Sequence, residues 1–344
     1  MGEIKVNENK SNESKMNENN ANESMMNDTK GKGKKKIFRV MKIMLGILLF
    51  AFLLVLILLP PIMMKSMVDF HVDFKETFEA SQFGLTAEEL RLTTSDGLDI
   101  AAYEVYTENP KAVIIAISGI HNPSVTAFYP HAKVFQQHGY ASILYDTRAH
   151  GDSEGDTISL GYKEVLDTQA VVDYIKGNEK YKNTPIVVFG VSMGGATAIN
   201  SIGEIEEIDG LISSSAYASW DDAFYDNMVY MGAPKFYAWL QRPFVKLYTN
   251  FKYGFDTADI TPELEIKNLG DRPALIMHST EDSQVPFASF HRIMKNAPNH
   301  VETWIRSGDL HFVATEEGFQ DLTKDPEYLN KLIGFLEKHF NTVN

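Results

Sequence analysis

The pattern of apolar and polar positions divides this chain of 344 residues into three stretches of different texture. Up to about Lys36 it is polar and of low complexity, with near-repeats at Asn7-Glu8-Asn9, Asn12-Glu13-Ser14, Asn17-Glu18-Asn19 and Asn22-Glu23-Ser24. Such a composition buries too little apolar surface to offset the entropy of ordering the chain, so residues 1–36 are expected to be a disordered tail. Residues 37–64 are the reverse, and from Ile43 to Met64 no side chain is charged. About 22 such residues in a helix rise ~33 Å, enough for the roughly 30 Å hydrocarbon core of a bilayer. No polar face interrupts the run, which argues against a helix lying on a soluble core. Lys30, Lys32, Lys34, Lys35, Lys36, Arg39 and Lys42 flank its N-terminal side, so the positive-inside rule keeps the N-terminus cytoplasmic and sends the rest across the membrane. The length of the run, and the lack of a small-x-small site after Pro60-Pro61, favour an uncleaved signal anchor over a cleaved signal peptide. Residues 65–84 mix aromatic and charged side chains and read as a juxtamembrane linker that lifts the domain of residues 85–344 off the bilayer.

From Glu89 onward the texture changes to alternation and short apolar runs. Leu90 to Thr93 and Leu98 to Ala101 flank Ser95-Asp96-Gly97, which predicts an antiparallel hairpin. Ala112 to Ser118, Tyr140 to Tyr145, Pro185 to Phe189, Ile208 to Ile212, Pro273 to Met277 and Val301 to Ile305 predict buried strands. Helical spacing separates them, most clearly from Tyr162 to Lys176, where Val165, Leu166, Ala170, Val171, Val172 and Ile175 share one side. Strands alternating with helices imply an α/β fold, a mostly parallel sheet covered on both faces, with functional sites at the carboxyl ends of its strands. Residues 216–268 break the alternation. They are crowded with aromatics, among them Trp220, Phe236, Trp239 and Phe251, and predict a helical cap inserted after the sixth strand. Most of its rings are expected to pack onto the core, and the rest to line an acyl or aryl pocket.

Composition narrows the chemistry. The chain has no cysteine, which excludes disulfides and thiolate nucleophiles, and a net charge of -14, which argues against nucleic acid as a partner. Its histidines have no metal-ligand spacing such as H-E-x-x-H, and no glycine-rich phosphate cradle is present, so neither a metal nor a cofactor is expected.

Gly190-Val191-Ser192-Met193-Gly194-Gly195 follows the run Pro185 to Phe189 and leads into small helix-forming residues. This is a G-x-S-x-G elbow at a strand-to-helix corner, a sharp turn that flanking glycines tolerate and that projects the serine hydroxyl from the sheet edge. The helix N-terminus also aims backbone N–H groups at negative charge forming near Ser192. A serine hydroxyl needs a base, and the base needs an orienting acid. Asp282 lies in the turn after Pro273 to His278, and His311 in the loop Ser307 to Phe312 after the last strand. Glu281 competes with Asp282. Asp309 reads as a loop hydrogen-bonder and His150 as a structural residue satisfying loop backbone groups. His121 stands close enough to the serine's neighbourhood for a substrate contact, with a structural role equally open.

Four motifs in order resemble the α/β-hydrolase superfamily, in particular its capped serine esterases, lipases and serine aminopeptidase-like members. They are the elbow; Asp146 to Gly155, similar to D-x-R-G-H-G-x-S-x-G; His278 to Pro286, similar to H-G-x-x-D-x-x-V-P; and Gly308 to His311. The resemblance spans Leu90 to the C-terminus. It implies that Ser192 attacks a carbonyl carbon, that His311 takes and returns the proton, and that Asp282 holds the imidazole. It also implies an oxyanion hole formed by the N–H groups of Met193 and Ile120. The chain departs from the family pattern at Ser118, where histidine is usual, and at Ala149 and Ser279, where glycine is usual.

The expected function is hydrolysis of carboxylic esters on acyl or lipid-like substrates at a membrane. A peptidase or amidase, an acyl transferase and a non-catalytic binding protein on the same fold are the alternatives. Partners beyond a small-molecule or lipid-like substrate and the membrane, and the oligomeric state, have no signature in the sequence.

Overall fold

Each apolar run beyond Glu89 becomes a strand of one eight-stranded sheet. The computed structural model describes residues 3–257 and 259–341. Residues 1 and 2 of the expected tail, Ala258 of the expected cap, and residues 342–344 of the expected domain lie outside them. The chain divides into two compact units, Met1–Leu59 and Pro60–Asn344.

The first unit is helical. Helix α1 (Glu3–Val68) begins within the stretch expected to be disordered, and residues 34–68 are long and apolar enough to cross a membrane. Its N-terminal part lacks proline and is built largely of Asn, Glu, Lys and Met, residues a helix accommodates at small cost. The pair Lys32–Asp28, four residues apart, adds local support.

In the second unit, β1 (Glu88–Thr93) and β2 (Asp99–Val105) form the hairpin, turning at Gly97, whose φ of 89° suits glycine. The sheet continues through β3 (Val113–Ile117), β4 (Ala141–Tyr145), β5 (Ile186–Val191), β6 (Gly210–Ser214), β7 (Ala274–Ser279) and β8 (Glu302–Arg306), in the order β1-β2-β4-β3-β5-β6-β7-β8. The β1–β2 and β2–β4 pairs are antiparallel, and every pair from β4 to β8 is parallel. Parallel strands joined by crossover helices are buried on both faces, and side-chain alternation divides each strand between two cores. In β3, Val113, Ile115 and Ile117 join one core with Val171 and Ile199, while Ile114 and Ala116 join the other with Phe128, Phe135 and Leu336. The first core is closed by α3 (Glu164–Gly177) and α4 (Met193–Glu204), the second by α2 (Tyr129–Gln137) and α10 (Pro326–His339).

Between β6 and β7 the chain forms α5 (Trp220–Tyr230), α6 (Lys235–Tyr253) and the short α7 (Pro262–Glu265), and between β7 and β8 it forms α8 (Ala288–Met294). Ser219 caps α5 by accepting the N–H of Asp222. Tyr230, Phe236, Trp239 and Phe251 are each more than half exposed rather than turned onto the core.

Residues 65–84 differ most from expectation, because they are built into the domain and do not form a spacer. Val68 and Val72 join the first core, and Phe74, Phe78 and Phe83 pack against the two cores. Val72 exchanges backbone bonds with Ala149 and Gly151, and Val68 accepts the N–H of Ile158. His71 bridges the carbonyls of Gly155 and Gly151 at 2.9 and 2.8 Å. His71, Val72 and Phe74 settle on the motif at Asp146 to Gly155, which a linker reading based on mixed composition overlooks.

Candidate active site

Ser192 stands at the carboxyl end of β5 with φ 58° and ψ -119°, a conformation that costs a non-glycine residue on the order of 1–3 kcal/mol. Close packing at the corner enforces it. A Cβ on Gly190 would come within 2.0 Å of the Gly194 carbonyl oxygen, and one on Gly194 within 2.3 Å of the Ile117 oxygen at the end of β3. The Ser192 N–H donates to the Ser214 carbonyl at 2.8 Å, tying the turn to β6. Ser192 is nearly buried.

The loop after β3 passes over this serine. A Cβ on Gly119 would lie 3.3 Å from Ser192 Cβ and 3.7 Å from its Oγ, so glycine is what lets the loop approach. Neither the Ile120 nor the Met193 N–H has a hydrogen-bond partner among the described residues. For Met193 this follows from its position, since the first N–H groups of a helix have no intrahelical acceptor. The loop is clamped from beneath by the Asp146 to Gly151 segment. Buried His150 accepts the His121 N–H on Nε2 at 3.2 Å, and Asp146 accepts the Val125 N–H at 3.0 Å. Burial pushes the His150 pKa down to about 4, which keeps the imidazole neutral and able to accept. Arg148, buried between Asp167 and Asp96, fixes the segment itself.

All three departures from the family pattern have a visible role or cost. Ser118 Oγ donates to the Pro123 carbonyl and closes the loop on itself. Ser279 Oγ accepts the Leu310 N–H at 3.2 Å, joining β7 to the loop that carries His311. Ala149 sits at φ 61°, the left-handed conformation that glycine adopts without strain, and it is fully buried.

Asp282 and His311 meet. His311 Nδ1 lies 3.0 Å from Asp282 Oδ1 and 2.9 Å from Oδ2. A carboxylate only accepts, so Nδ1 carries the proton and Nε2 is the basic nitrogen. Asp282 also accepts the N–H groups of Gln284 and Val285, both at 2.9 Å. Burial opposes its charge, but the bond and charge of His311 and these two N–H groups outweigh it and hold the carboxyl below the usual carboxylate range. Asp309 binds the Ser283 N–H at 2.9 Å and stitches the acid and histidine loops together. Glu281 is exposed.

Ser214 links the serine's turn to the loop that carries His311. Ser214, whose carbonyl binds Ser192, has its Oγ 3.5 Å from the Phe312 carbonyl, next to His311. Among the described residues no hydrogen bond joins Ser192 Oγ to His311. His121 makes structural contacts: its Nε2 donates to the Met67 carbonyl at 2.7 Å and its ring packs on Phe70.

Beside His311 opens a cavity of ≈ 1030 Å³. Phe78, Phe83, Ala127, Phe312 and Phe319 supply apolar wall, and Glu76, Asp309 and Glu316 supply carboxylates. No described residue of the insertion lines it, although the sequence points to the cap aromatics for that role. The walls come instead from the segment after α1, the loop before α2, and the chain from Asp309 to Gln320, which includes α9 (Glu316–Gln320).

A strand order with an antiparallel edge, a serine elbow after β5, and an acid and histidine after β7 and β8 define the class: the chain has the α/β-hydrolase fold. Residues 108–269 match the model of the serine aminopeptidase S33 family. Bacillus subtilis YqkD is 25% identical over 218 residues, 62% of this chain and 70% of that protein. The Saccharomyces cerevisiae membrane protein YNL320W is 25% identical over 40% of this chain and 48% of its own length. Among solved structures, the Pyrococcus furiosus esterase Pf2001 superposes with a TM-score of 0.60 at 21% identity, covering 78% of this chain and 98% of the esterase. The Pyrococcus horikoshii acylaminoacyl peptidase superposes with a TM-score of 0.55 at 15% identity, over 74% and 42% of the two chains.

Proposed function

We propose that this protein is a membrane-anchored serine hydrolase that cleaves carboxylic esters of acyl or lipid-like substrates through an acyl-enzyme. The observation that carries the reading is the Asp282–His311 pair with its basic Nε2, and a strained, buried Ser192 at the strand-to-helix corner supports it. In this mechanism His311 Nε2 removes the hydroxyl proton as Ser192 Oγ attacks the carbonyl carbon. The oxyanion then meets the two unpartnered N–H groups of Ile120 and Met193. His311 returns the proton to the leaving alcohol, and water attacks the acyl-enzyme by the same route. Asp282 holds the imidazole and stabilises its cation without itself taking the proton. Substrate binding draws Ser192 Oγ and His311 Nε2 into hydrogen-bonding distance, a tightening common in catalytic sites that are loose when empty.

The cavity's aromatic walls suit an acyl chain, and its volume accommodates one of moderate length. A second reading, an aminopeptidase, draws support from Glu76, Asp309 and Glu316 in the same cavity, which would attract an α-ammonium group. Side-by-side turnover of short-chain p-nitrophenyl esters and aminoacyl amides separates the two. We expect the esters to be preferred and Ser192→Ala to abolish their turnover. Preference for the amides would replace the esterase reading with the peptidase one.

The membrane part of the proposal rests on the charge-free run Ile43 to Met64 and its basic flank, which together favour a single-pass anchor with the catalytic domain outside the cytoplasm.

A further inference from the structure

Helix α6 is more apolar on its exposed side than on its buried one. It turns Ala238, Gln241, Val245, Thr249 and Tyr253 inward. Outward it presents Phe236 (71% exposed), Trp239 (58%), Leu247 (48%) and Phe251 (71%). These residues recur at spacings that keep them on one face, and from Phe236 to Phe251 the stripe extends ~22 Å along the helix. Phe255, more than half exposed and with its ring centroid 5.1 Å from that of Phe251, extends it at one end. A soluble surface rarely leaves so many large apolar side chains together without a partner.

Chain connectivity identifies that partner. The last turns of the apolar helix, at Met64 and Val68, are buried in the same core as Trp220 and Ala223 of α5. Trp220 Nε1 donates to Met64 Sδ at 3.2 Å, and Lys252 of α6 is ion-paired with Asp69. The insertion is therefore fastened to the residues at which the chain leaves its apolar span. Exposed Lys235 and Lys246 follow one edge of the stripe, where ammonium groups can reach lipid phosphates while the rings lie deeper.

We propose that the outer face of α6 lies in the boundary between headgroups and acyl chains of the membrane that the anchor spans. It forms a second, non-spanning contact that holds the hydrolase domain against the lipid surface. The inference rests on the reading of Ile43 to Met64 as a membrane span, and it adds a lipid-binding role for the insertion. An ester lipid could then reach the domain without crossing bulk water.

Because the chain has no cysteine, single-cysteine variants of the full chain can carry a nitroxide at chosen positions. The probes are Trp239→Cys and Phe251→Cys on the stripe, Leu49→Cys in the apolar run, and Lys182→Cys at an exposed, distant site. Each is reconstituted in nanodiscs of phosphatidylcholine and phosphatidylglycerol, and its collisions with oxygen and with a water-soluble nickel chelate are compared. We expect the oxygen-to-nickel ratio at 239 and 251 to be several-fold above that at 182 and below that at 49. Ratios at 239 and 251 equal to that at 182, with 49 deep in lipid, would overturn the inference and leave the anchor standing. An aqueous value at 49 would remove the anchor and the inference together. Labels at 239 and 251 shielded from both reagents would point to a protein partner and overturn it too.

Discussion

Asp282 binds the imidazole through both carboxylate oxygens, so its contribution is orientational as well as electrostatic. An amide in its place can offer Nδ1 an N–H, which would move the imidazole proton to Nε2 and disable the base. Asp282→Asn should therefore lower kcat for ester turnover by on the order of a thousandfold or more, with a much smaller effect on KM. Steady-state kinetics on one p-nitrophenyl ester would check both parts. His150 acts by a different route. Its folded pKa is depressed to about 4 by burial, whereas an unfolded histidine titrates near 6.5, so the unfolded chain binds more protons between these values. The stability His150 contributes is complete above about pH 6.5 and is lost as pH falls toward 4, by at most about 3 kcal/mol. His150→Gln retains an acceptor for the His121 N–H but does not titrate. Urea midpoints at pH 7 and pH 4.5 should differ less for this variant than for the native protein. At this scale the candidate acid, base and nucleophile were legible in the sequence because each follows a strand end in a fixed order. The clamp by His150 and Asp146 was legible only in part: the motif marks a structured loop, but its target, the backbone from His121 to Val125, becomes visible only in three dimensions.

Elements were read most reliably where burial is two-sided. A strand covered on both faces must be apolar throughout, so β3, β5 and β7 appear as uninterrupted runs whose observed ends lie within about two residues of those expected. The elbow between β5 and α4 depends on atoms that glycine lacks. Gly190→Ala forces a Cβ to within 2.0 Å of a backbone oxygen that cannot yield without moving α4. It should cost about 3 kcal/mol or more, since overpacking against backbone has no soft side chain to displace. Gly177, exposed at the end of α3 with nothing within 4 Å of a built Cβ, provides the contrast. Gly177→Ala should be neutral or stabilising by up to ~1 kcal/mol. Chemical denaturation of the two variants side by side would separate the packed glycine from the merely helical one. The orientation of α6 was harder to read. Aromatic content alone cannot distinguish inward from outward rings, although the spacing of Phe236, Trp239, Leu247 and Phe251 opposite Ala238, Gln241, Val245 and Thr249 contained the answer.

For the whole molecule, the segment after the apolar run changes the picture. Mixed composition suggests a spacer, yet Val68, Val72 and Phe74 are built into the domain, and Met67 and Val72 bond the loops around the candidate site. Under the proposed topology the anchor leads directly into the catalytic framework. The last turn of the apolar helix touches the insertion, the residues after it support the Asp146 to Gly151 segment, and Phe78 and Phe83 wall the cavity beside His311. In that topology the position of the domain on the bilayer would be coupled to access by the proposed substrate. All of this depends on Ser192 being a nucleophile. The most direct test is covalent labelling of the full chain, in mild detergent, with a fluorophosphonate, followed by peptide mass spectrometry. The adduct is predicted on Ser192, absent from Ser192→Ala and strongly reduced in His311→Ala. An unlabelled native protein, or labelling that persists in Ser192→Ala, would contradict the account.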